Sequence, residues 1–293
     1  MAQARRFDDG SCLVDQSRLT GELALRIERR AGKDVATSQF HQGALRVLRP
    51  HYLDSTPQVC YTVVNPGGGY LGADTYGVDV QVAASASLLL TTQSATKIYR
   101  TPQGEALSRM SVELEQDAVL EYLPDQLIAY QDASYRQETV VKMDSSSSLV
   151  IFEVITPGWS PDGQLFRYDR IRLRTEIHVD GELAVLDNLL VEPGAQAVES
   201  LLYLQEYTHV GMLLAVDSRI DSQMVESLRD VAYEVAEKQS EPVHVGVSET
   251  ATSGLSVRTL GTSTEGATAV LMSIVNELRQ RLRGQAAVQL RKY

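Results

Sequence analysis

Apolar side chains recur at every second position through most of the first 220 residues, and near residue 221 the spacing becomes helical. That switch constrains the fold more than any other feature of the chain. A period of two lays one set of side chains on a core face and the other towards water, which is the pattern of a strand. In GELALRIERR, Leu23, Leu25 and Ile27 alternate with Glu22, Ala24, Arg26 and Glu28. Similar runs cover residues 61–64, 78–82, 110–114, 119–123, 140–143, 149–155 and 171–179, with less regular ones at 184–191 and 201–207. Glycine, proline and polar clusters punctuate them at 65–69, 157–163, 180–181 and 193–194. A small polar turn followed by an apolar strand returns at 84–90, 116–123 and 145–155. The expected class is mainly β: a β-helix-like stack of antiparallel strands or layered sheets, with two helices at the C-terminal end.

Beyond residue 220, Met224, Leu228, Val231 and Val235 follow one another at spacings of four, three and four, behind Ser222 as a candidate N-cap. Pro242 ends that helix. Short strands are expected at 243–247 and 255–260, then a second helix over 265–283 with Val270, Ile274, Leu278 and Leu282 as its stripe and Gly284 as its stop. Arg279, Arg281 and Arg283 in its last turn suit the negative end of the helix dipole. One domain spanning 1–293 is expected, with a strand-rich body (1–220) and a helical part (221–293) that covers one end or face of it. About 70 residues with two helices make a thin core by themselves.

Charge and motifs narrow the function. With 27 Lys+Arg against 38 Asp+Glu, the net charge is −11, which argues against nucleic acid as a partner. Two cysteines, Cys12 and Cys60, are too few for a disulfide framework. The opening MAQARRFDDGS has two arginines and no apolar run behind them, so no signal peptide is expected. No stretch approaches the roughly 18 apolar residues of a membrane span. A cytoplasmic location without membrane contact is the expectation. The five histidines are scattered and none has zinc-site spacing with a cysteine or another histidine. No nucleophile-elbow sequence or phosphate-binding lysine loop is present. The segment NPGGGYLG (65–72) satisfies G-x-G-x-x-G through Gly67, Gly69 and Gly72. A dinucleotide site needs that turn to open a helix, and here turn and strand follow. An enzyme using this loop for a nucleotide or sugar-phosphate stays as an alternative, as does a β-rich binding module with no metal role. Trp159 sits in a loop with two prolines and two glycines, either anchoring the loop or offering an aromatic anchor to a partner. Met224, Leu228, Ile274 and Leu278 on the helical stripes face the same choice between core and partner surface.

Taken together, five segments resemble the urease accessory protein family UreD, called UreH in some organisms: HQGALRVLRP (41–50), NPGGGYLGAD (65–74), TTQSATKIYR (91–100), LEYLPDQLIAY (120–130) and EVITPGWSPDG (153–163). The resemblance covers roughly residues 20–220. It implies a protein that catalyses nothing itself. Such a protein binds the urease apoprotein and, with UreF and the GTPase UreG, helps deliver nickel to the urease active site. It implies a stack of strands with two helices towards the C-terminus, and passage of a transient Ni2+ through an internal channel of weak successive sites. Carried onto this chain, the channel candidates are Asp74, Thr96, Lys97, Glu153 and Glu176, the last on a strand where alternation would turn it inward. Three positions depart from the family pattern: Gly67 stands where many members have a second proline, Ala73 where many have a second glycine, and Gln126 where many have a glutamate, with Asp125 as the nearest acidic substitute.

Overall fold

The computed structural model describes residues 19–195, 198, 200, 203–288 and 290. The opening segment with Cys12, the residues 201 and 202 of an expected strand, and the terminal Arg291 and Lys292 lie outside these.

Among the described residues the strands are β1 (Gly21–Arg30), β2 (Lys33–Gly43), β3 (Arg46–Val47), β4 (Val59–Val64), β5 (Thr75–Val82), β6 (Ser87–Thr92), β7 (Thr96–Ile98), β8 (Ala106–Leu114) and β9 (Val119–Leu123). They continue with β10 (Leu127–Ala129), β11 (Ser134–Met143), β12 (Ser148–Ile155), β13 (Arg170–Val179), β14 (Glu182–Val191) and β15 (His209–Val216). Helix α1 (Ser222–Glu237), the hairpin β16 (Val243–Glu249) and β17 (Gly254–Gly261), and α2 (Thr264–Arg283) complete the chain.

The strands form two facing sheets. One has the order β14-β13-β11-β8-β5-β1-β2; the other runs β16-β17-β15-β12-β9-β6-β4-β3, with β10 and β7 attached beside β12. The chain climbs as a coil. After β5, β8 and β11 of the first sheet, a turn carries it to the second sheet, where one or two short strands follow, and it returns one level up.

This solenoid-like stack is the expected mainly-β class with its two helices, but the pairing differs from the antiparallel expectation. In the middle of both sheets it is parallel: β1 with β5, β5 with β8, β8 with β11, β11 with β13, and likewise β4, β6, β9 and β12. Antiparallel pairs occur towards the ends, as in β1–β2, β13–β14, β12–β15 and β16–β17. The reason is connectivity. A tight turn that lands in the opposite sheet makes no hairpin, so the next strand in the same sheet arrives a coil later, running the same way. Alternation of side chains is identical in both arrangements and cannot tell them apart.

The two sheets differ in exposure. The first has one covered face, and β8 alternates cleanly as Ala106, Ser108, Met110, Val112 and Leu114 inward. The second is covered on both faces, because α2 lies over β12, β15 and β17 while α1 packs on α2 and β16. Strands covered on both faces read as continuous apolar runs rather than alternating ones. That explains β15, HVGMLLAV, whose absence of alternation hid it. Of the strand expected at 201–207, the described residues 203–206 are turn and the chain enters β15 only at His209.

The helices begin and end where the chemistry asks. Asp221, not Ser222, caps α1, its carboxylate accepting from the Met224 amide at 2.8 Å. Ser263 caps α2, and Gly284, at φ 62°, ends it in the left-handed conformation that suits glycine. Leu228, Ile274 and Leu278 are wholly buried in the core between the helices and the second sheet, and Met224 packs on its edge. All four side chains are thereby engaged within the chain. The buried line of α1 runs through Val225, Leu228 and Ala232, turned slightly from the stripe read off the spacing.

Candidate functional site

Between the two sheets the apolar filling is not continuous. One cluster gathers Leu23, Val80, Val112, Leu120, Val141 and Ile151; another gathers Ile98, Leu127, Tyr135, Ile155, Ile171 and Met212. A seam of polar side chains runs between them, and strand register assembles it. Tyr76 pairs with Ser108, Ser108 with Gln137, so their inward side chains form one ladder across β5, β8 and β11. On the next ladder Thr139 pairs with Thr175 and Thr175 with Asp187. From the opposite sheet, Glu153 pairs with Met212 and Met212 with Arg258.

The side chains link up across the gap. Arg258 of β17 forms an ion pair with Asp187 of β14, joining the sheets at one edge. Further in, the Gln137 amide donates to Glu153, and its oxygen accepts from the Tyr135 hydroxyl at 2.9 Å. Ser108 hydrogen-bonds with both Tyr135 and Tyr70. Tyr70 stacks on Tyr76, ring centroids 3.9 Å apart and planes 15° from parallel. The Tyr76 hydroxyl donates to Asp74 at 3.3 Å and accepts from the Asn65 amide at 3.4 Å. A chain of neighbouring polar groups thus crosses the interior from the edge at Asp187 to the glycine loop at Asp74.

Glu153, Tyr122 and Tyr70 lie deep in the protein and are half-buried. Burial governs their ionisation. Burial drives the Glu153 carboxyl up to about 7, and the nearby Asp187 adds to this, while the hydrogen bond from Gln137 and the charge of Arg258 oppose it. Burial raises Tyr70 to about 12 and pushes Tyr122 and Tyr135 further up, so all three stay neutral donors near pH 7.

The residues singled out from sequence fall in different places. Glu153 stands in the middle of the seam. Asp74 ends it and also shapes the loop, accepting from the Leu71 amide at 2.7 Å and from Thr20 at 3.0 Å. Thr96 shares the inward face of β7 with Ile98, whereas Lys97 points the other way, over Gly69. Glu176 does not turn inward: Thr175 holds that phase of β13, and Glu176 lies on the outer face, paired with Arg174 and 3.3 Å from the His178 ring. Trp159 is 51% exposed and leans on Tyr130. The glycine loop runs through a turn into β5 rather than into a helix, so no helix N-terminus faces it. Among the described residues, no group of three or more His, Cys, Asp or Glu is placed to hold a metal ion.

Sequence reading missed Gln137, Asp187, Arg258 and the seam tyrosines. A signal existed. Gln137 and Asp187 occupy the inward phase of their strands, where alternation calls for an apolar residue.

Comparison with known proteins matches this chain to one family over nearly its whole length. The family model described as UreD urease accessory protein matches residues 19–292. The chain belongs to the UreD urease accessory protein family. The urease accessory protein UreD of Arthrobacter sp. (strain FB24) is 48% identical over 285 residues, covering 96% of this chain and 97% of that relative. UreD of Actinomyces naeslundii is 46% identical over 274 residues, covering 94% and 99%. UreD of Bacillus cereus (strain ATCC 10987 / NRS 248) is 31% identical over 274 residues, covering 94% and 98%. Membership in the UreD family gives the chain a role in urease maturation. No helix is long and apolar enough to cross a membrane among the described residues.

Proposed function

We propose that this UreD-family chain binds the urease apoprotein and, together with UreF-like and UreG-like partners, assists the delivery of nickel to the urease active site, turning over no substrate of its own. The observation that carries the reading is the run of neighbouring polar side chains between the sheets, from Asp187 to Asp74. Its donors are carboxylates, phenols and an amide, hard oxygen groups that hold a hydrated divalent cation without stripping it. Spaced one after another, such groups pass a cargo on; a closed cage would retain it.

In this reading Glu153 is the central station. Near pH 7 its carboxyl is divided between protonated and charged forms, so an arriving Ni2+ favours the carboxylate and displaces its proton. Arg258 neutralises Asp187 at the seam edge. A cation passing there competes with the guanidinium, which keeps that station weak. Asp74 is the station at the loop.

The test is nickel loading. With all accessory partners present, Glu153→Ala and Asp74→Ala are expected to lower the metal content of urease by about tenfold while complexes still assemble. Full nickel loading in both variants would remove the seam as the path, and absence of any complex with urease in the wild type would remove the larger reading. Titration calorimetry with nickel, with and without partners, separates this from a binding module without a metal role. Nothing in the glycine loop favours a phosphate ligand, because the helix that would receive it is missing.

A further inference from the structure

At one end of the coil the short rungs stack into a small parallel sheet. Tyr70 bridges to Ile98, Ile98 to Ala129, and Tyr130 to Trp159. Ile98 and Ala129 point inward and are fully buried. Their neighbours along the chain therefore point outward: Leu71, Tyr99, Tyr130 and Trp159 lie on four successive rungs. Ring centroids are 4.8 Å apart for Tyr99 and Tyr130, and 4.9 Å for Tyr130 and Trp159. The two ends of the ladder are the most exposed, Leu71 at 57% and Trp159 at 51%.

The ladder is held in place before anything binds it. A Cβ on Gly69 would lie 2.7 Å from the Tyr99 ring and 3.1 Å from the Lys97 Cβ, so both side chains rest directly on bare backbone. The Trp159 amide donates to the Ala129 carbonyl at 2.9 Å, and the Trp159 carbonyl accepts from Gln131 at 2.8 Å. Behind it, Ser160 donates at 2.6 Å to the Gln164 carbonyl, and the Phe166 amide closes the loop onto Pro157 at 2.8 Å. Rigid aromatic anchors give up little conformational entropy on association.

Charge says what fits. Arg100 is engaged by Asp132 at 3.3 Å and Arg167 by Asp162 at 4.0 Å. Lys97, on the ladder's face, has no side-chain partner among the described residues. A complementary surface therefore offers apolar side chains beside a carboxylate. Position says who offers it. Leu71, the first step of the ladder, donates its amide to Asp74, where the polar seam ends. A protein seated here covers that end.

We propose that the Leu71–Tyr99–Tyr130–Trp159 ladder, with Lys97 beside it, is the surface on which the urease apoprotein docks, through an apolar segment carrying an acidic residue. This rests on the seam as the delivery path.

The test is the affinity of the full chain for urease apoprotein, with Trp159→Ala, the double variant Trp159→Ala/Tyr130→Ala, Trp159→Phe and Lys97→Glu. Trp159→Ala is expected to weaken binding by about tenfold or more, and the double variant further. Trp159→Phe retains most of the affinity. Lys97→Glu weakens binding by about tenfold through slower association, with far-ultraviolet circular dichroism unchanged. Unchanged affinity in the double variant and in Lys97→Glu overturns the assignment. So does a loss confined to self-association, or to another accessory protein, because the ladder then belongs to that occupant. A wild-type chain that fails to bind urease instead removes the functional reading beneath it, so the two failures are told apart.

Discussion

The guanidinium of Arg279 in α2 and the carboxylate of Glu121 in β9 form an ion pair with side chains 1% and 0% exposed. Glu121 also accepts from Arg283, and Arg279 reaches Gln58 at 3.0 Å, Asp54 at 3.1 Å and the Ala286 carbonyl at 3.1 Å. The last turn of α2 and the segment after it are thus tied to the second sheet and to the loop before β4. These arginines are interior links, a role beyond the favourable interaction with the helix dipole that sequence suggested.

A buried pair is costly to break from one side, because the survivor keeps its charge without a partner. Glu121→Gln leaves two guanidinium groups facing a neutral amide, and a loss of about 3–5 kcal/mol is expected in urea denaturation. Arg279→Met together with Glu121→Gln is expected to cost less than the sum of the single changes, the sign of direct coupling. Additive losses would show that the two residues act independently.

Glu153 sets a pH dependence of opposite sense to that of an ordinary surface carboxylate. Its folded value, about 7, lies above the usual 4.5. Between these values the folded chain holds a proton that the unfolded chain has released. Stability from this group is complete below pH 4.5 and is lost as pH rises through 7, by as much as about 3 kcal/mol at pH 8. Glu153→Gln, neutral at every pH, is expected to flatten the fall in urea midpoint between pH 5 and 8. A variant that declines as steeply as the wild type would place the titrating group elsewhere.

The glycine loop yields a third expectation. A Cβ on Gly69 would lie 2.6 Å from the Lys97 carbonyl oxygen, a backbone atom that cannot step aside. Gly69→Ala is expected to cost on the order of 2 kcal/mol in thermal or urea unfolding, from overpacking at the rung. Gly67→Ala, whose added methyl meets only the Asn65 side chain at 3.1 Å, is expected to cost less. Equal losses would mean that the close approach of Tyr99 and Lys97 to Gly69 is unimportant.

Much of the fold was legible in the chain because the signal is local. Leu23, Leu25 and Ile27 alternate whatever β1 pairs with, and Gly284 ends α2 by chemistry within a turn of it. Glu153 and Asp74 could be named from segments shared with relatives. What stayed hidden was non-local. Gln137, Asp187 and Arg258 lie on three strands far apart in the chain, and no spacing within a strand says that they meet. Glu176 shows the converse: one position of phase in β13 separates the seam from the outer surface, and only the packing of Ile171, Leu173 and Thr175 against the opposite sheet decides it.

By itself, then, the sequence determined the strand and helix periodicities, the glycine stop of α2, the switch near residue 221 and the family, since each depends on neighbouring residues or on direct likeness. Tertiary structure alone decided parallel against antiparallel pairing, because both bury the same alternating face. It also decided the course of the seam and the place of Arg279 in the interior, because those follow from which strands and helices come to lie opposite one another once the coil has closed.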